Sequence, residues 1–232
     1  FRDVHYMALL YRADAQAVSK QLDQTPFKPA LQLFGEPVVA VGLIQYKDSD
    51  LGSYDEIILS IPVVLKLDRS GALSNWLDLY AKHERRRGGQ YIIHIPVTSQ
   101  LSVDGGRNLW GYPKTLEPIH HQFTNNRIDS RLDAPDGTCM IKWTGSLGMA
   151  IPIPAMNLMT YSFLHEKLVR TSVDVRAQMN WYPLAGISCS IADKGSPMAK
   201  DMIAFGIDRR KPFVVLGAPR FSALFHAPQE IH

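Results

Sequence analysis

Residues 54–67 read YDEIILSIPVVLKL. Three polar or aromatic residues, Tyr54, Asp55 and Glu56, lead straight into a run of Ile, Leu and Val broken by one proline. Aliphatic and β-branched residues at that density favour an extended strand. The same texture recurs in HYMALLYRA near the start, PVVAVGLIQY, QYIIHIPVTSQLSV, CMIKWTGSL, AGISCSIA and PFVVLGA. Clusters of Gly, Pro, Asp or Asn separate these stretches, and 16 glycines and 15 prolines supply turns throughout. The spacing between strands is too short for repeated βαβ units. The chain is therefore expected to form one α+β domain over residues 1–232. Its centre would be a mainly antiparallel, curved sheet or closed β-barrel with a few peripheral helices.

Two helices are expected from apolar spacing. ADAQAVSKQL puts Ala13, Ala17 and Val18 on one face. GALSNWLDLYAKHERRRGG repeats Leu73, Trp76, Leu77, Tyr80 and Ala81 at i, i+3, i+4, i+7 and i+8, which predicts a helix over 72–87. Arg85, Arg86 and Arg87 suit its C-terminal dipole, and Gly88–Gly89 stop it. That arginine run reads as a solvated helix end in preference to an anion site. A third helix is expected over MNLMTYSFLHEKLVR, with Leu158, Tyr161, Leu164 and Leu168 as its stripe and His165–Glu166 on an exposed face.

The 232 residues are 46% hydrophobic and 20% charged, an ordinary globular composition with material for a large core. A formal net charge of +3, dispersed along the chain, points to neither nucleic acid nor a membrane surface. No apolar run is long enough to span a bilayer, and no signal-peptide pattern opens the chain. Because the chain begins at Phe1 and not at methionine, that last point carries little weight. Cys139 and Cys189 lack CxxC spacing and fit reduced thiols, so a cytoplasmic protein is expected.

Familiar catalytic templates are missing: GxGxxG after a strand, a Walker loop, HExxH and a GxSxG elbow. His120 and His121 would point apart on a strand and lack a third ligand, so no metal is expected. His94, inside an apolar strand, reads as a hydrogen-bonded core or barrel-lining residue. No organic cofactor is expected either.

One further stretch is unusual. In RNLWGYPKTL, residues 107–116, a lysine follows an aromatic–proline pair. Pro113 fixes its own φ and holds Tyr112 extended, so the backbone of this turn enters Lys114 stiffly. Taken alone, Lys114 reads as a surface lysine and Glu56 as a strand cap in solvent. Taken together and in this order, SYDEIILSIPV and GRNLWGYPK resemble the acetoacetate decarboxylase family. Its members carry a Y-x-E segment running into an apolar strand that ends in IPV. A G-R-E or similar stretch follows, then [WA]-x-Y-P-K, whose lysine forms the Schiff base. YRADAQAV resembles the family's strand-to-helix entry, and KGSPMAKDMIAFGIDRRKPFVVLGAPRFSALF its closing segment, so the likeness spans nearly the whole chain.

The resemblance implies a barrel with Lys114 facing its interior and a Schiff-base enzyme acting on an oxo acid. Lys114 and Glu56 would be catalytic; Tyr112, Trp110, Tyr54 and Arg107 would bind substrate. An amine attacks a ketone only when unprotonated, and an ordinary lysine near pKa ~10.4 is almost wholly charged at neutral pH. Burial disfavours the ammonium and lowers such values by up to about 3–5 pKa units, so Lys114 is expected to be mostly neutral near physiological pH. Activation of the lysine by desolvation or a neighbouring cation is an established property of acetoacetate decarboxylase.

Departures accompany the likeness. Thr115 stands where family decarboxylases commonly carry a second lysine, and Asn108 where G-R-E has its glutamate. PVVAVGLIQY lacks an acidic residue that decarboxylases carry there. Val4 falls near the expected arginine, leaving Arg2 as a substitute. Decarboxylation of a 3-oxo acid is the leading expectation, with aldolase–dehydratase chemistry on pyruvate-type oxo acids as the alternative. A non-catalytic small-molecule-binding barrel is the other class. The implied partners are a small oxo acid and further copies of the chain in a homo-oligomer. The segment 72–87 looks like an insertion relative to the family. Its stripe would pack outside the barrel, over the barrel mouth or against a neighbouring subunit, and these placements stay open.

Overall fold

The computed structural model describes residues 1–192 and 195–231. Lys194, which opens the closing segment named above, lies outside them. In chain order the principal strands are β1 (Asp3–Arg12), β2 (Glu36–Asp48), β3 (Tyr54–Leu65), β4 (Gly89–Val97), β5 (Lys114–Leu116) and β6 (Ile119–Phe123). They continue with β7 (Arg127–Asp133), β8 (Cys139–Ser146), β9 (Leu158–Leu164), β10 (Lys167–Ala177), β11 (Gly186–Ile191) and β12 (Val214–Phe225). The helices are α1 (Ala15–Leu22), α2 (Ala72–Asp78), α3 (Gln100–Trp110) and α4 (Pro197–Ala204).

Seven strands close into a barrel in the order β12–β1–β2–β3–β4–β9–β10, with β10 returning to β12 through Val173↔Phe225 to Ala177↔Phe221. Neighbours are antiparallel except β4 and β9, which run parallel at Thr160↔Gln90. A second antiparallel sheet, β11–β8–β7–β6, covers one side. The α+β barrel expected from the sequence is the observed architecture.

β3 shows why its sequence is almost continuously apolar. Successive side chains of a strand face opposite ways. Ile57, Leu59, Ile61 and Val63 face outward into a core shared with Trp143 and Ile141 of the second sheet and with Phe205. Tyr54, Glu56, Ile58 and Ser60 face the barrel interior. Both faces are covered, so both are mostly apolar.

Several expectations are corrected. Residues 156–170 form a hairpin, not a helix: β9 pairs with β10 from Leu158↔Val173 to Leu164↔Lys167. His165 and Glu166, at φ 49° and 65°, are its two-residue turn and not a helix face. The stripe Leu158, Tyr161, Leu164, Leu168 satisfied helical spacing by coincidence. Burial in β10 instead falls on Val169, Thr171, Val173 and Val175, a period of two.

The strand expected through residue 103 ends at Val97, where α3 begins behind Ser99, whose hydroxyl accepts the N–H of Ser102. The helix expected over 72–87 is shorter: α2 stops at Asp78, and only one 3₁₀ turn, His83–Arg85, follows. Asp78 folds the chain back by accepting the N–H groups of Arg87 and Gly88, the latter at 2.8 Å. Of the arginine run, Arg85 and Arg87 are exposed, as the solvated reading expected, and Arg86 is the one that departs from it. Arg87 lies beside Asp78 and Asp68, and Arg86 is 4% exposed.

Candidate active site

The barrel encloses a cavity of about 550 Å³, lined mainly by apolar side chains. Lys114 lies on its wall, and the local chain explains how it is held there. Gly111 ends α3 in the left-handed region at φ 65°, and a Cβ there would run into the Phe163 carbonyl. The Tyr112 N–H then turns back to the Gly106 carbonyl, and Pro113 leads Lys114 into a parallel pairing with Ile95. The lysine therefore starts a strand and does not sit in a turn. Its carbonyl accepts from Arg107 Nε at 2.8 Å.

Lys114 is 7% exposed and meets Glu56, itself 3% exposed, with Nζ 2.5 Å from Oε2. Nζ also donates to Ser102 Oγ at 2.8 Å, and Tyr46 donates its hydroxyl to the other Glu56 oxygen at 3.1 Å. Tyr54 stacks on Tyr46 at 4.2 Å, and Nζ sits 5.7 Å from the Tyr54 ring centre. Burial, then the Glu56 charge, raises the phenols of Tyr46 and Tyr54, keeping both neutral. The stem of Lys114 runs along the backbone of α3. A Cβ on Gly106 would stand 2.5 Å from Lys114 Cδ, so only glycine fits.

Behind Glu56 stands His121, buried between the barrel and the second sheet. Nε2 lies 3.2 Å from the Glu56 carbonyl and Nδ1 2.8 Å from Ser130 Oγ. A carbonyl only accepts, so Nε2 carries the proton and Nδ1 accepts from Ser130. Burial lowers the His121 pKa to about 4, which keeps this neutral form. His120 points the other way, toward Asp133, as the strand reading expected. His94 binds Asp201 of α4 at 2.7 Å.

Lys114, Glu56, Tyr54, Tyr112 and Trp110 all line the cavity. Tyr112 pairs its hydroxyl with Thr160 at 2.7 Å, and Trp110 stacks on Tyr112. Arg107 is corrected: it is exposed, outside the lining, and braces the Lys114 backbone instead. Arg2 is likewise no substitute for the family's arginine, since it pairs on the surface with Asp48 and Asp50. Sequence reading missed Tyr46, Ser102, Thr160 and Arg86. For Tyr46 a signal existed: once PVVAVGLIQY and YDEIILSIPV form a hairpin, Tyr46 falls opposite Tyr54. Ser102 lay in the stretch read as a strand.

Helix α2 settles one placement. Trp76, Leu77, Leu79 and Tyr80 line the cavity, while Leu77 and Tyr80 are largely exposed, so the segment forms the rim of the barrel mouth. It sits at the end of β3 remote from Glu56, with Asn75 bonding the Ala30 carbonyl beside Pro62. Among the described residues no cluster of three or more His, Cys, Asp or Glu is arranged to hold a metal. Both cysteines are free. No helix of the described residues is long and apolar enough to cross a membrane.

A closed seven-stranded barrel with a buried lysine–carboxylate pair on its inner wall defines the class: an α+β barrel with an internal, lysine-centred site. Residues 1–180 match the acetoacetate decarboxylase family, and the chain belongs to it. An acetoacetate decarboxylase of Chromobacterium violaceum is 30% identical over 115 residues, 49% of this chain and 37% of the relative. The matched stretch thus spans little more than a third of that protein. The solved acetoacetate decarboxylase of Legionella pneumophila superimposes with a TM-score of 0.68 at 15% identity, covering 100% of this chain and 86% of the other. The enduracididine biosynthesis enzyme MppR, complexed with the condensation product of pyruvate and imidazole 4-carboxaldehyde, reaches 0.66 at 13% identity, covering 98% and 87%. At such identities the likeness is one of fold.

Proposed function

We propose that the protein is a Schiff-base-forming lyase that acts on an oxo acid, decarboxylating a 3-oxo acid through an imine on Lys114. The observation that carries this is the 2.5 Å contact between Lys114 Nζ and Glu56 Oε2, facing an apolar cavity. A proton passing from the ammonium to Glu56 leaves a free amine and a neutral acid, so the pair stays neutral overall. The amine adds to the substrate ketone and water departs, giving a protonated imine. The bond to the carboxylate then breaks; carbon dioxide leaves and the electron pair flows to the imine nitrogen, forming an enamine. Expulsion of the water consumes the proton held by Glu56, so Glu56 takes up a proton from solvent and passes it to the enamine carbon; water then hydrolyses the imine to the ketone and returns the lysine to its ammonium form. Tyr54, Tyr112 and Trp110 shape the wall beside the reacting carbon.

Aldolase–dehydratase chemistry by the same imine is the second reading. MppR, solved with pyruvate and with a pyruvate condensation product, shares the fold, and Thr115 leaves Lys114 without the second lysine of family decarboxylases. Borohydride reduction with acetoacetate or pyruvate, followed by peptide mapping, is the test. A reduced adduct on Lys114 supports imine chemistry, and its absence with every oxo acid tried leaves a binding barrel. Carbon dioxide release separates decarboxylation from condensation with an aldehyde. The proposal includes a homo-oligomer, supported by Leu73 and Leu77, which stand exposed side by side on α2. Light scattering measures it, and a monomer at all concentrations would remove it.

A further inference from the structure

Arg86 is a buried cation that feels the nearby Asp78 charge but forms no ion pair among the described residues. Its Nε donates to the Gly88 carbonyl at 3.2 Å and Nη1 donates to the Asn157 carbonyl, both neutral acceptors. Among the described residues no carboxylate is ion-paired with it. The neighbouring Asp78 spends its oxygens on the Arg87 and Gly88 N–H groups and lies 3.5 Å from Arg87 Nε. Arg86 nevertheless lines the same cavity as Lys114. Among the described residues lining it, Lys114 and Arg86 are the only Lys or Arg side chains, and Glu56 is the only carboxylate. Glu56 is committed to Lys114. An isolated buried charge is costly unless an anion answers it, and a guanidinium fork suits a carboxylate.

The two cations stand at opposite ends. Arg86 is bonded to Gly88 at the start of β4, whereas Lys114 pairs with Ile95 near its end. The six residue-to-residue steps of strand from Gly89 to Ile95 span roughly 20 Å, which the two long side chains shorten. Ile58 and Ile92 line the stretch between them. A four-carbon oxo acid held at Lys114 would leave Arg86 unanswered.

We propose that Arg86 binds a second anionic group, carried by the substrate at the end remote from its reactive carbonyl. The substrate class is then a long-chain 3-oxo dicarboxylic acid: one carboxylate beside the imine, an apolar chain along the barrel, and the far carboxylate on Arg86 at the mouth. This rests on the imine reading above.

The deciding experiment compares 3-oxododecanedioate with its far-end monomethyl ester, which differ only in the distal charge. The wild-type protein is expected to favour the diacid in kcat/KM by about ten- to a hundredfold, the span of a charge-assisted hydrogen bond. Arg86→Gln should erase the preference and Arg86→Lys should restore part of it. Equal handling of diacid and ester by the wild-type protein overturns the proposal, with no variant needed. The site is also read without chemistry, by calorimetry with dodecanedioate and its dimethyl ester. If no oxo acid forms an adduct on Lys114, the imine reading fails, yet preferential binding of dodecanedioate still supports the anion site. Absent or equal binding of the two sinks it.

Discussion

Lys114 and Glu56, 58 residues apart in sequence, meet at 2.5 Å with both side chains more than nine-tenths buried. Breaking such a pair from one side leaves a buried charge without its partner, which costs about 3–5 kcal/mol, while replacing both by apolar groups is often close to neutral. Lys114→Met should therefore lower stability by a few kcal/mol. The double variant Lys114→Met/Glu56→Leu should recover most of that loss. Urea unfolding of the three proteins measures it. A double variant no more stable than the single one would show that the pair is not the source of the loss.

Gly106→Ala tests the seat of the Lys114 stem. Alanine suits a helix interior better than glycine by about 1 kcal/mol, yet its Cβ would occupy the space of the Lys114 stem. The variant is expected to trap little or no oxo acid on Lys114 under borohydride and to melt below the wild type, because the helix gain offsets only part of the cost of displacing Lys114 from Glu56. Normal trapping would mean that the lysine can re-route around a methyl group.

Stability should depend on pH through His121. Its folded pKa of about 4 lies below its ordinary 6.5, so between those values the unfolded chain binds a proton that the folded chain refuses. Stability is therefore full above about pH 6.5 and falls as pH drops toward 4, by up to roughly 3 kcal/mol. His5, also lowered to about 4 by burial, acts in the same direction more weakly because it is less buried. Comparing urea midpoints at neutral and acidic pH for the wild type and His121→Gln isolates the residue. The variant should show the shallower slope.

The turn at His165–Glu166 holds two non-glycine residues at positive φ. Replacing them with Asn-Gly, the pair preferred in two-residue hairpin turns, should relieve left-handed backbone strain and raise stability by about 1 kcal/mol without affecting activity. Thermal melting reads the gain. No gain would indicate that contacts of the turn side chains offset the strain.

Trp76→Ala tests the rim. Trp76 lines the cavity and bonds the Gln32 carbonyl from a short helix, so truncation should cost little stability and widen the range of oxo acids trapped on Lys114. A large loss of stability with an unchanged range would make α2 a packing element only.

Much of this was legible in the sequence. Glu56 and Lys114 stood in recognisable local company, and the strands around them carried their own aliphatic signature. Arg86 did not, because a buried arginine and a solvated one look alike until the chain folds back on Asp78. Helix α3 was hidden by the apolar run ahead of it and by Gly105 and Gly106, both poor helix formers. One of those two glycines is what lets Lys114 lie flat. Residues 156–170 satisfied helical spacing with four leucine and tyrosine positions, and only pairing across the barrel selects the hairpin. Apart from α3, which its own glycines obscured, the unread features were those fixed by contacts between distant segments.

The closure of the barrel has a consequence for its synthesis. The family match ends at residue 180, yet β12, residues 214–225, joins β1 on one side and β10 on the other. Until that strand leaves the ribosome, both neighbours present unpaired edges, and the inner face carrying Lys114 has no continuous wall. Exposed edges of this kind recruit other chains. The nascent protein is therefore most vulnerable to misassociation while residues 181–225 are being translated, and a chain interrupted there would hold an open sheet where the closed barrel holds a vessel.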